Sequence, residues 1–85
     1  MTYTRKRLMK EIQKIMGESF PVRTTEEFDG QTEGIWTSGE HEGKDGLHFA
    51  DYYSMSTHPK IEKLLENAGW FYEWHDAGTI MIYEN

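Results

Sequence analysis

Apolar residues recur along the chain in two rhythms, and the rhythms divide it into elements. Leu8, Met9, Ile12, Ile15 and Met16 follow helical spacing between Thr4, which can cap free backbone amides, and Gly17, a common helix stop. A helix over residues 4–16 is predicted, with its apolar stripe inward and its Arg and Lys residues on the solvated side. Ile61, Leu64, Leu65 and Ala68 form a second stripe, opened by Ser54-Met55-Ser56-Thr57-His58-Pro59 and closed by Gly69. In that opening His58 reads as a helix-start residue.

Elsewhere the rhythm shortens to two. Trp70 to His75 and Thr79 to Tyr83 are rich in aromatic and β-branched residues, which suit a pleated, half-buried surface. A three-residue loop, Asp76-Ala77-Gly78 with Gly78 at positive φ, sets His75 opposite Thr79, Trp74 opposite Ile80 and Tyr72 opposite Ile82. That register gathers Trp70, Tyr72, Trp74, Ile80 and Ile82 on a core face. A two-residue loop would move Ile80 and Ile82 beside Glu73 and His75, so the longer loop is expected. Upstream, Val22 to Phe28 and Gln31 to Ser38 read as strands joined at Asp29-Gly30, a hairpin signal, and Leu47 to Tyr53 reads as a third strand.

The order helix, three strands, helix, two strands predicts an α+β two-layer sandwich: an antiparallel sheet of four or five strands with two helices on one face. The pattern leaves open whether residues 22–28 join that sheet. The uncovered face is the expected place for a partner, with Trp36, His48, Tyr52, Phe71, Met81 and Tyr83 as contact candidates.

Composition narrows the function classes. Eighty-five residues, 36% hydrophobic and 14% aromatic, supply one domain over 1–85 with a single core. The absence of cysteine removes disulfides, thiol nucleophiles and thiolate metal sites. Arg5-Lys6-Arg7 leads into amphipathic rather than continuously apolar sequence, so neither a signal peptide nor a membrane span is expected, and a cytoplasmic protein without a membrane partner is. A net charge of −6 repels phosphate backbones. Glu26, Glu27, Asp29, Glu33, Glu40, Glu42 and Asp45 crowd the middle of the chain, which admits a minor reading in which they imitate nucleic acid. Arg5 and Lys6 stand in the first turn of a helix, where the dipole disfavours cations, a placement that hints at a contact role.

Catalytic chemistry finds little footing. Ser38 precedes Glu40 and His41, but no strand-turn-helix elbow surrounds it, and a polar turn explains the same residues. His41, His48, Asp51 and His75 support an alternative, metal-dependent reading, yet none shows a ligand spacing that makes such a signal specific. His48 and Asp51, three apart on a strand, would point to opposite faces. Gly39, Gly43 and Gly46 lead into a strand among acidic residues, unlike a phosphate-cradling loop. Nucleic-acid binding is a second alternative: an aromatic sheet face can stack bases, and helix, three strands, helix is the order of the double-stranded RNA-binding domain. No basic groove accompanies those aromatics. The expected function is a small, acidic, non-enzymatic protein-interaction module without a cofactor, whose unprotected strand edge would also permit a homodimer.

Gly34-Ile35-Trp36-Thr37-Ser38-Gly39, Asp51-Tyr52-Tyr53 and the run from Gly69 through Asp76-Ala77-Gly78-Thr79-Ile80 together resemble small proteins of tailed bacteriophages, notably large phages of marine cyanobacteria. The resemblance covers roughly the latter two thirds of the sequence. It implies a virus-encoded accessory protein acting inside the infected bacterium, and it assigns no catalytic residue, ligand or cofactor.

Overall fold

The computed structural model describes residues 2–28 and 33–85. Helix α1 (Arg5–Met16) starts where the Thr4 side chain accepts from the Arg7 amide at 3.2 Å and stops at Gly17, whose φ of 109° is accessible to glycine. Strand β1 (Val22–Thr24) follows, and the rest of the expected first strand is instead a single turn, α2 (Thr25–Phe28). Glu27 Oε2 accepts from the Thr24 amide at 3.2 Å and so closes that turn. The expected Asp29-Gly30 turn lies outside the described residues. Strand β2 (Ile35–Ser38) pairs antiparallel with β1, so residues 22–24 do join the main sheet.

The third strand expected over residues 47–53 is not part of that sheet. His48 forms an isolated antiparallel bridge with Glu42, and β3 (Ala50–Asp51) pairs with β4 (Ser56–Thr57) in a separate two-stranded arm. Phe49 and Ala50 are buried in succession, which breaks the alternation a half-buried strand needs. Asp51 Oδ1 then accepts from the Tyr53 and Ser54 amides at 3.0 and 3.4 Å and turns the chain.

Helix α3 (Pro59–Ala68) leads through Gly69, in the left-handed conformation, into β5 (Trp70–Asp76) and β6 (Thr79–Glu84). Trp74 faces Ile80 and Tyr72 faces Ile82, as the apolar pattern requires, but Asp76 rather than His75 faces Thr79. A bulge between Trp74 and Asp76 absorbs the extra residue, so a two-residue connection and the expected register coexist. Gly78 is not among the positive-φ glycines, which are Gly17, Gly46 and Gly69 within the described residues. Asp76 Oδ1 accepts from the Gly78 amide at 2.9 Å and shapes the turn instead.

The fold is mixed α+β: a four-stranded antiparallel sheet in the order β1-β2-β6-β5 and the small β3-β4 arm. Leu8, Ile12 and Met16 of α1 and Ile61, Leu65 and Ala68 of α3 pack with Val22, Ile35, Ile80, Ile82 and Trp70 in one core. These strand residues share one side of the sheet by register, which leaves the other side without a helix.

Candidate functional site

On the side without helices, register aligns Arg23, Trp36, Met81 and Glu73 in one row, with Phe71 opposite Tyr83 in the next. The Phe71 and Tyr83 rings lie 6.2 Å apart and tilted by 46°. Four of the six expected contact residues therefore meet on this face. It is less open than alternation implies, since Met81 is only 3% exposed and Trp36 and Tyr83 are half-buried. Phe71 is its one large apolar group counted as exposed.

His48 and Tyr52 stand elsewhere, because the segment carrying them left the sheet. Both line a cleft of about 340 Å³ beside Gly39, Glu40, Asp51 and Tyr53. Strand alternation placed His48 and Asp51 on opposite faces; with a bend at Phe49 between them, both line the same cleft. The backbone amides of Tyr53 and then Ser54 hold the Asp51 carboxyl below the usual carboxylate range.

The β3-β4 arm carries the residues that sequence reasoning undervalued. Among the described residues the exposed large hydrophobics are Leu47 at 49%, Tyr52 at 41%, Tyr53 at 90%, Met55 at 65% and Phe71 at 39%. Four of these five fall within residues 47–55. Tyr52 packs edge-on against Tyr53 at 5.7 Å and against Trp74 at 5.1 Å. The arm is tied to the sheet where Thr57 Oγ1 and Tyr72 Oη meet at 2.6 Å, and Phe49 packs edge-on against Tyr72 at 5.6 Å. A signal was present: residues 52–55 are Tyr-Tyr-Ser-Met with no alternation to bury them.

Candidate chemistry resolves into local structure. Ser38 Oγ accepts from the Glu40 and His41 amides at 3.1 and 3.2 Å and lies 3.3 Å from His41 Nδ1, which is the geometry of a polar turn. No group of three or more His, Cys, Asp or Glu close enough to hold a metal ion occurs among the described residues. His58 caps α3 and contacts Asp45. Arg5, a suspected contact residue, makes a two-pronged bond to Glu26 at 2.7 and 3.1 Å, and that guanidinium holds the Glu26 carboxyl below its usual range. Arg7 lies over the Tyr3 ring at 3.8 Å. The basic cluster is thus partly consumed inside the molecule, as are Glu26, Glu27 and Asp45 of the acidic middle. No described helix is long and apolar enough to cross a membrane. No protein-family model, curated protein or solved structure matches the chain.

Proposed function

We propose that the chain is a small, acidic, non-enzymatic protein-interaction module that grips its partner with the β3-β4 arm. One observation carries this reading: Tyr52, Tyr53 and Met55 expose large apolar side chains on a turn anchored to the sheet through Thr57 and Tyr72, with Leu47 exposed just before it. Tyr and Met are favoured contact residues, the first for large area at low entropic cost and the second for adaptability. The fitting partner is a protein with an apolar recess. Phe71 and Tyr83 extend the contact surface on the sheet side. Base stacking on the same tyrosines is disfavoured by Glu40 and Asp51, which line the cleft beside them. The resemblance of residues 34–39, 51–53 and 69–80 to phage proteins supports an accessory role in the cytoplasm of an infected bacterium.

The test compares capture from bacterial lysate by the wild type, by Tyr53→Ser with Met55→Ser, and by Phe71→Ala. The first substitution pair should lose a partner that Phe71→Ala retains or only weakens. Identical captured sets from all three proteins would end the reading.

A further inference from the structure

Among the described residues the main sheet stops at β5, a seven-residue strand with β6 on one side and no strand on the other. The Asn85 amide donates to Gly69 O at 3.0 Å, in step with the β5-β6 register. Phe71 and Glu73 therefore share hydrogen bonds with β6, while the backbone groups of Trp70, Tyr72 and Trp74 project from the free edge. Among the described residues, the backbone bonds of turns, loops and caps reach none of those groups. An edge of this length pairs readily with another strand unless proline, charge, a bulge or a covering segment blocks it. The bulge in β5 lies past Trp74, so residues 70–74 stay regular.

A groove of about 280 Å³ runs beside this edge, between β5 and α3. Leu65, Trp70, Phe71 and Tyr72 give it an apolar lining, and Glu62 and Glu66, one turn apart, form its helix side. Neither glutamate enters an ion pair among the described residues. An unpaired edge next to an apolar groove with a carboxylate rim specifies what fits. Backbone pairing needs an extended segment, the groove takes alternate apolar side chains, and the rim calls for cations.

We infer that the β5 edge accepts an extended, lysine- or arginine-bearing segment of a partner protein by strand addition, with its cations toward Glu62 and Glu66. A second copy of this chain is the poorer occupant. Two-fold pairing of β5 would bring both sets of glutamates together, on chains that each carry a net charge of −6. The groove adjoins the β3-β4 arm, since Thr57 lines it and Phe71 belongs to both surfaces, but Tyr53 and Met55 are not part of its lining, and the inference does not depend on their binding a partner.

Titration of the 15N-labelled protein with a short, end-blocked peptide of alternating valine and lysine tests the inference. Saturable amide shifts should appear at residues 70–74 and along the α3 side of the groove. Glu62→Lys with Glu66→Lys should weaken binding about tenfold, since inverted rim charges repel the lysines. Both substitutions are on exposed helix positions, and an unchanged circular dichroism spectrum would verify the fold. Methylating the peptide's pairing backbone nitrogens should abolish binding, because strand addition needs those donors. Tyr53→Ser with Met55→Ser should bind the peptide like the wild type, which separates this outcome from that of the arm. Any of four results would overturn the inference: no shifts, shifts centred elsewhere, equal binding of the methylated or a valine-glutamate peptide, or a doubled mass in light scattering with edge amides broadened in the absence of peptide.

Discussion

Asp45 Oδ2 lies 2.9 Å from Nε2 of His58, an imidazole only 2% exposed, while Nδ1 of the same ring accepts from the Lys60 amide at 3.1 Å. Because Nδ1 accepts, the geometry assigns the ring proton to Nε2, which donates to Asp45. One side chain thus caps α3 and fastens the loop before β3. His58→Ala should cost about 1–3 kcal/mol, from a lost cap and a vacated buried site. His58→Asn restores a capping oxygen and should recover part of that loss in urea denaturation. Equal midpoints for the two variants would contradict the capping role.

Acid should release the same loop. The hydrogen bond from His58, and next the Leu47 amide, hold the Asp45 carboxyl below its ordinary value of 3.8. A depressed folded-state value means that the unfolded chain binds the proton more readily, so stability rises with pH. The contribution is complete above 3.8 and disappears as pH falls through the lower folded-state value. Asp45→Asn should therefore be less stable than the wild type at neutral pH, with the gap narrowing in acid. A gap of constant size across that range would refute the linkage.

A Cβ at Gly39 would overlap Cζ3 of Trp74 and sit 2.9 Å from its Cη2. Gly39→Ala should destabilise the fold by about 1–3 kcal/mol through overpacking. Trp74 also supports Tyr52, so the substitution should shift tryptophan emission and weaken capture by the arm. In a Trp74→Leu background the cost of Gly39→Ala should shrink, and a double-mutant cycle in urea measures that coupling.

Met55 holds a φ of 58° although it is neither glycine nor buried. That conformation costs an ordinary residue about 1–2 kcal/mol, and glycine escapes it while losing some of the gain to unfolded-state entropy. Met55→Gly should raise stability by about 0.5 kcal/mol, the difference of those two effects. The same variant removes an exposed side chain of the arm, so stability and partner affinity should move in opposite directions.

The elements most legible in the sequence are those whose burial follows a single period. Leu8, Ile12 and Met16 mark α1, and the pairing of Trp74 with Ile80 and Tyr72 with Ile82 follows from keeping apolar residues together. The loop between them was illegible in detail, because a bulge at His75 and a turn held by Asp76 satisfy the same register by another route. Residues 47–53 misled for a different reason. Their short alternation resembles a strand, but Asp51 supplies a turn through hydrogen bonds that periodicity does not register. That turn leaves Tyr53 and Met55 in water, while His48 pairs with Glu42 instead of joining the main sheet. Met81 failed as an exposed contact because its row neighbours Trp36 and Glu73 flank it.

Strand β6 occupies the middle of the sheet between β2 and β5, although it is synthesised after both. A ribosome that has emitted everything through Gly78 has made β2 and β5 without the strand that pairs with both, and without Ile80 and Ile82, whose side chains are fully buried. Assembly must wait for those residues to clear the exit tunnel, and a transcript cut short before Thr79 would yield a product fit only for chaperones and proteases.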